Sequence, residues 1–393
     1  MITIFRNSTL RRIILGGLAV LMPSTAMAAD EVKFGVDGVT YKPKSGNFEV
    51  TLGGRLHLDA LSFEEDGAEF NDLDVRRARL EVSGRIGDDI RFRVDREFAG
   101  EDGWRNAWVS YRPIDDIEIT GGNFTVPFAM EDLQSSNRIS LMERSLVTAL
   151  TPGFGLGVGA QISRRRWTLA GGYFGNALGN DEDGRADERG SGFAARVTTA
   201  PIDRRGNLIH LGAAVEHRSF SDGDATSFQS NTGSSLTPRL IGTGMINNPD
   251  ELTNVGGEFA VARGSVLFQG QYVSTTLERE GSPKLGFDGW YTQASWVVTG
   301  ERYDYSRRVG IVSGVNLRRG RGAVEVVARY SQLDLDDADV ARGEGSAITL
   351  GANWYLNENV RIMMNYVTSE ATDMSGIADR DSELIAGRLQ ISF

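Results

Sequence analysis

Alternation of apolar and polar residues with a period of two runs through most of this chain and constrains its fold more than any other feature. From Asn47 onward, segments of about ten residues repeat the pattern between Gly, Asp and Asn clusters, which is typical of transmembrane β-strands. Seventeen segments fit this pattern, and one of them is residues 308–318. Because bacterial single-chain barrels have an even strand number, we predict an all-β, antiparallel transmembrane β-barrel of sixteen strands, with eighteen as the fallback.

The two ends of the chain predict export. Residues 1–28 combine basic residues, a short apolar run and small residues near position 28, as a cleaved secretory signal does. The apolar run is about ten residues long, well short of the roughly 20 that a membrane-spanning helix needs. We therefore predict a signal peptide over residues 1–28, a periplasmic lead-in over 29–46 and an outer-membrane barrel over 47–393. The alternating segment that ends on Phe393 fits a last barrel strand, and also an edge strand of a soluble sandwich.

Composition is compatible with a barrel and argues against other classes. The mean hydropathy is −0.26, but barrel strands show only every second residue to lipid, which dilutes the hydrophobic signal. The chain has no cysteine, so disulfides do not hold the fold. The formal net charge of −11 argues against a nucleic-acid partner.

The inward faces of the predicted strands carry many more arginines than acids. Only four of the 42 basic residues are lysines, and arginine binds phosphate and carboxylate groups through paired hydrogen bonds. An arginine-lined lumen would suit an anion path. The predicted path residues are Arg55, Arg77, Arg79, Arg85, Arg91, Arg93, Arg196, Arg329, Arg361 and Arg388. Arg308 and Arg318 fall on the same predicted face.

An alternative interpretation of these arginines stays open. Inward arginines and acids could pair across strands and only keep a wide lumen solvated. Asp95, Glu97 and Glu325 are the acids that could neutralise them. The assignment also assumes unbroken alternation, which a single β-bulge would upset.

Two segments resemble the phosphate-selective porin O and P family. They are the run Val75-Arg76-Arg77-Ala78-Arg79-Leu80 and the stretch Gly121-Gly122-Asn123-Phe124-Thr125-Val126-Pro127-Phe128, which continues through Glu131, Ser135, Ser136 and Leu141-Met142-Glu143-Arg144-Ser145. The resemblance implies a sixteen-stranded barrel, a homotrimer, and a long loop that folds inward to narrow the pore. It also implies passive diffusion of small anions, with phosphate or polyphosphate as candidates.

Residues 125–152 are the candidate constriction loop, since loops of this length in compact proteins are usually functional. Its predicted functional residues are Thr125, Glu131, Arg138, Glu143 and Arg144. Thr125 stands where many family members carry a lysine, and Glu131 is acidic, so a general or differently selective porin stays open. The expected partners are permeant anions, outer-membrane lipid and lipopolysaccharide.

Motifs for other functions are weak. The glycine-rich run at residues 152–159 lacks the lysine of a phosphate-binding loop and leads into alternating sequence. The three histidines, His57, His210 and His217, are not in metal-ligand spacing, so we predict no metal, no cofactor and no catalytic residues. A barrel-embedded hydrolase and an adhesin are the remaining alternatives.

Overall fold

Sixteen antiparallel strands form one closed sheet in the computed structural model. The structure describes residues 31–35, 38–100, 102–178, 190–204, 206–317, 322–372 and 379–393. A short hairpin, β1 (Glu31–Gly35) and β2 (Gly38–Lys42), precedes the barrel. The first eight barrel strands are β3 (Phe48–Glu65), β4 (Ala68–Ile86), β5 (Ile90–Glu97), β6 (Gly103–Ile114), β7 (Ile117–Thr125), β8 (Phe154–Ser163), β9 (Trp167–Gly175) and β10 (Ser191–Arg204).

The other half of the chain completes the barrel and contributes short strands outside it. The second eight barrel strands are β11 (Asn207–Ser219), β16 (Pro249–Arg263), β17 (Val266–Arg279), β18 (Leu285–Val297), β21 (Ala323–Asp337), β22 (Val340–Tyr355), β23 (Val360–Thr372) and β24 (Asp379–Ser392). The strands outside the barrel wall are β12 (Ala225–Thr226), β13 (Gln229–Asn231), β14 (Arg239–Gly242), β15 (Ile246–Asn247), β19 (Arg302–Ser306) and β20 (Ile311–Asn316). The prediction of sixteen barrel strands is confirmed.

The barrel closes where β24 pairs with β3, with Arg388 opposite Asp59. At this seam the backbone N–H of Gly54 donates to the carbonyl of Phe393 at 2.7 Å, and the N–H of Phe393 donates back at 3.1 Å. A closed sheet leaves no free edge, as the hydrocarbon layer requires. No helix in the described part of the chain is long and apolar enough to cross a membrane.

Alternation separates a lipid-facing surface from the lumen. On β4 and β5, Leu80 and Val94 point outward and are 49% and 40% exposed, whereas Arg77 and Arg79 point inward and are each 7% exposed. The inward burial of charged groups needs partners, which the loops and neighbouring strands supply.

The two ends of the barrel differ. One end, called the short-turn end, holds tight turns such as residues 87–89 and the terminal Phe393; the other, the long-loop end, holds the connection between β7 and β8. Outer-membrane barrels have short periplasmic turns, which assigns the short-turn end to the periplasm. At this end β2 pairs with β3 through Val39 and Leu52. Residues 1–28 lie outside the described residues, and the boundaries at 28 and 46 stay predictions.

The constriction loop, predicted over residues 125–152, spans residues 126–153 in the structure because Thr125 is the last residue of β7, and it folds into the lumen from the long-loop end. It contains helix α1 (Met130–Leu133) and a 3₁₀-helix (Leu146–Leu150). Phe128, Met142 and Val147 are buried in the largest apolar cluster, together with Val273 and Leu277 of the wall. The loop is therefore fixed by packing as well as by polar contacts.

A second long-loop segment, residues 225–247, also turns inward. Its buried Phe228, Leu240 and Ile241 join the same apolar cluster, beside Val367 and Leu384 of the wall. The segment belongs to the long connection between β11 and β16, and its apolar residues lie inside the barrel mouth.

A third inward segment comes from the short-turn end and corrects the strand predicted over residues 308–318. The connection between β18 and β21 folds back into the lumen as the hairpin of β19 and β20. Tyr303 and Val312 pack on apolar wall residues, including Ala260 and Leu267. Both faces of β20 are buried, since the adjacent residues Ile311 and Val312 are 6% and 2% exposed, so this segment lies inside the lumen and is not a barrel strand. Arg318 lies outside the described residues.

Candidate functional site

Two large cavities lie inside the described part of the barrel, one on each side of the tip of the constriction loop. Each has a volume of about 460 Å³. The outer cavity, toward the long-loop end, is lined by arginines of β3 to β6 and by serines of residues 227–235. The inner cavity, toward the short-turn end, includes the turn at residues 357–360. They share Arg55, Arg93 and Ser135, which we call the bottleneck.

The constriction loop touches β3 at the bottleneck. Arg55 donates from Nη1 to Ser136 Oγ at 2.8 Å. His57, on the same inward face, lies 3.0 Å from Asn137 through its Nε2 and the amide Oδ1. The loop therefore crosses the lumen and leaves the open space along the β3 to β6 wall.

A β-bulge adds an unexpected arginine to the outer cavity. The register between β3 and β4 shifts so that His57 pairs with Arg77 and Leu58 with Val75. Arg76 is the extra residue, and it is buried inward at 5% exposure beside Arg77. Strict alternation would place Arg76 toward lipid, so alternation alone does not predict its inward position. The run of two arginines before Ala78 is the sequence signal that indicates a bulge here.

Two predicted path residues, Arg79 and Arg93, line the outer cavity but are paired with acids. Arg79 donates to Glu97 at 3.1 Å. Arg93 contacts Glu81 and Asp95, each at 2.8 Å. Here the alternative interpretation applies, because cross-strand acids neutralise these two guanidinium groups.

Four other predicted path residues hold the constriction loop or the hairpin. Arg388 forms a two-bond ion pair with Asp59, with both distances 2.7 Å, and also contacts Glu143 at 2.7 Å. Arg361 donates to the carbonyl of Ile139 at 2.8 Å. Arg329 and Arg196 bind Glu131 and Glu258. Because their guanidinium Nη donors bind protein groups, they act as anchors, although the Nε atoms of Arg329 and Arg361 are buried without a hydrogen-bond partner. Of the four, Arg361 also lines the inner cavity.

The remaining two, Arg85 and Arg91, lie at the short-turn end and pair with each other in register. Arg85 contacts Glu49 at 3.4 Å and the carbonyl of Gly87 at 2.9 Å. Arg308, in the hairpin connection, reaches Glu118 at 2.9 Å. The structure therefore does not bring these three to the bottleneck.

The predicted loop residues have different surroundings. Thr125 and Arg144 line the outer cavity, and exposed Arg138 lines the inner one. Glu131 is buried and accepts hydrogen bonds from Ser145. Only Arg138 among the five is exposed to solvent in the lumen.

Glu143 is the acid of the loop that meets the most arginines. Its carboxylate contacts Arg76 at 2.9 Å and Arg388 at 2.7 Å, with Arg77 at 3.9 Å. Burial by itself favours the neutral acid, but these cations outweigh it and hold the pKa of Glu143 well below its usual range. Glu143 is therefore a structural counter-ion for Arg76, Arg77 and Arg388, which we call the arginine cluster.

Two buried arginines at the bottleneck and the outer cavity lack a close acid. Among the described residues, the nearest carboxylates are 3.9 Å away, Glu81 for Arg55 and Glu143 for Arg77. The Nε atoms of both arginines are buried without a hydrogen-bond partner. A buried cation with unused donors is a site for an anion, since unpaired charge in a low-dielectric place is costly.

A closed barrel of this size with an arginine-lined passage and an inward loop is a porin, an outer-membrane protein with a water-filled channel. The family model for "Phosphate-selective porin O and P" matches residues 50–393. The chain belongs to that family, and it lies in the bacterial outer membrane.

Known proteins agree with this assignment. The chain is 26% identical to Porin O of Pseudomonas aeruginosa across 97% of its own length and 98% of that protein. An anion-selective porin from Comamonas acidovorans has the same fold, with a TM-score of 0.57 at 15% identity over 88% of this chain and 100% of that one. So does OmpT of Vibrio cholerae in its trimer form, with a TM-score of 0.54 at 13% identity over 88% and 99%.

Proposed function

We propose that this porin passes small anions by passive diffusion through the two cavities, and that phosphate or polyphosphate is the preferred permeant. The observation that carries the proposal is the state of Arg55 and Arg77, which are each 7% exposed and have no carboxylate closer than 3.9 Å in the described part of the chain. An anion entering the outer cavity would take the place of the missing acid. Membership of the phosphate-selective porin O and P family supports phosphate as the anion.

Transport requires binding weak enough for release. The bottleneck meets this requirement because Arg93 is already neutralised by Glu81 and Asp95, which leaves Arg55 as the strong cation at the narrow point. Exposed Arg138 lies on the inner side and offers the next cation along the path.

The test is single-channel recording of the purified protein in planar bilayers. Reversal potentials in a potassium chloride gradient report charge selectivity, and titration with phosphate reports binding through block of the chloride current. Anion selectivity with phosphate block is the expected result. Conductance without block would leave a general or differently selective porin, and absence of conductance would overturn the proposal.

We further propose a homotrimer in contact with lipid and lipopolysaccharide. Support comes from the trimer form of OmpT and from the exposed apolar residues around the barrel. Mass measurement of the protein in detergent after chemical cross-linking tests the assembly.

The proposal excludes enzymatic activity. His210 contacts Tyr305 and Glu258, and His57 contacts an amide, so neither is paired with a serine or threonine. His217 lies 3.1 Å from Thr253 Oγ1 and would be the base of a hydrolase. Ester hydrolysis that His217→Ala abolishes would contradict the exclusion.

A further inference from the structure

Two wall carboxylates lie opposite the arginine cluster, beneath both the constriction loop and the hairpin. Glu325 on β21 is fully buried and Glu258 on β16 is 7% exposed. Neither lines the outer or the inner cavity. Burying a carboxylate costs free energy unless hydrogen bonds or cations compensate for it. The hydrogen-bond partners of these two carboxylates therefore indicate their role.

Glu325 binds both inward segments through neutral donors. Its Oε1 accepts from Ser140 Oγ of the constriction loop and from the Tyr303 hydroxyl of the hairpin, each at 2.8 Å. Its Oε2 accepts from Asn353 Nδ2 and the Tyr355 hydroxyl of the wall, each also at 2.8 Å. The carboxylate is therefore a four-way junction between loop, hairpin and wall.

Glu258 holds the loop directly. Its Oε2 accepts from the backbone N–H of Met130, at the start of α1, at 3.1 Å. Its Oε1 accepts from Arg196 at 2.5 Å and contacts His210 Nε2 at 2.9 Å.

Arg196 and His210, which both contact Glu258, also contact the hairpin. Arg196 donates to the carbonyls of Val309 and Gly310 at 2.8 and 2.7 Å. His210 Nδ1 lies 2.9 Å from the Tyr305 hydroxyl. Loop and hairpin also meet directly, where Gln134 donates to the carbonyl of Val312 at 2.8 Å.

The two carboxylates bracket the part of the loop that forms the narrow point. Met130 and Ser140 are the anchored positions, and Ser135 and Ser136 lie between them at the bottleneck. We propose that Glu258 and Glu325 are positioning residues that lock loop and hairpin into one unit and so set the distance from Ser136 to Arg55. The effect on phosphate rests on the proposed function, whereas the effect on pore width does not.

Glutamine replacements test the inference with little change of shape. In Glu325→Gln the new NH₂ group faces either Asn353 Nδ2, which cannot accept a hydrogen bond, or the Ser140 and Tyr303 hydroxyls, which must reverse to accept from it, and the remaining bonds lose the charge of the carboxylate. In Glu258→Gln the NH₂ group faces either the Met130 N–H or the Arg196 guanidinium, and because neither can accept, at least one hydrogen bond is lost. We expect larger single-channel conductance and a phosphate half-block concentration about tenfold higher, equivalent to about 1.4 kcal/mol.

The control is Glu278→Gln, the same chemical change at an exposed position of β17. Heat-modifiable gel mobility reports folding of each full-length variant before recording. Ser140→Ala and Tyr303→Phe each remove one donor to Glu325, and they serve if the glutamine variants fail to fold; we expect a smaller rise in conductance from each.

Folded variants with unaltered conductance and half-block would overturn the inference. If phosphate does not block even the unaltered porin, the proposed function fails, but a rise in conductance confined to the anchor variants would still support the positioning role.

Discussion

Replacement of Arg55 by glutamine tests the anion path at its narrowest point. Arginine has five donors, and Arg55 uses one of them on Ser136 while its nearest acid, Glu81, is 3.9 Å away. Losing one charge-assisted hydrogen bond to a bound anion costs about 1.5–3 kcal/mol. The phosphate half-block concentration should therefore rise about 10- to 150-fold.

The assay is phosphate titration of the single-channel chloride current, with the reversal potential measured in parallel. Arg85→Gln is the matched control, because Arg85 already pairs with Glu49 at the short-turn end. This variant should leave the half-block concentration nearly unchanged. If Arg55→Gln folds and yet retains the half-block concentration and reversal potential of the unaltered protein, Arg55 does not bind the permeant anion.

Three further predictions concern stability and pH. Arg388→Met should destabilise the barrel by about 3–5 kcal/mol, because it leaves buried carboxylates, Glu143 among them, without their cation; urea unfolding followed by tryptophan fluorescence measures this, and an unchanged midpoint would contradict it. Because the pKa of Glu143 is held well below its usual value, its stabilisation of the loop is complete above the ordinary pKa of 4.5 and is lost as pH falls below that. Chloride conductance should thus stay constant from about pH 7 to 5 and become larger and noisier in more acid solution. In Glu143→Gln, single-channel recording should show the larger and noisier conductance already at neutral pH. Gly122→Ala should lower the folding yield, since a Cβ there would lie 2.2 Å from the carbonyl oxygen of Ala107, whereas Gly257→Ala, which meets nothing within 4 Å, should fold normally on heat-modifiability gels.

The barrel could be predicted from the sequence because lipid enforces a strict rule on every wall strand. An outward position such as Leu80 must be apolar, and its neighbour Arg79 is then free to be charged. Segments inside the lumen obey no such rule. The sequence of residues 308–318 alternates much as a wall strand does. The signal for a segment inside the lumen is instead the apolar character of inward wall residues such as Ala260 and Leu267, which the hairpin covers.

The roles of the individual arginines could not be predicted from the sequence. Arg388 and Asp59 are far apart in the chain and meet only because the barrel closes between its last and first strands. Arg79 meets Glu97 through the register of β4 and β5. The local sequence pattern determines whether an arginine faces the lumen. Whether that arginine has an unused hydrogen-bond donor depends on strand register, barrel closure and loop packing.

The bulge at Arg76 shows how the charge of such a lumen can change in single steps. An ordinary one-residue insertion in a strand moves every later side chain to the opposite face. Such an insertion would place charged side chains in lipid and destabilise the barrel. A bulge absorbs the extra residue locally, and here the added residue is a cation that faces the arginine cluster while Leu80 and Val82 keep their lipid contacts. Insertions at this point of β4 therefore offer a route by which related channels can gain or lose one charge without redesigning the wall.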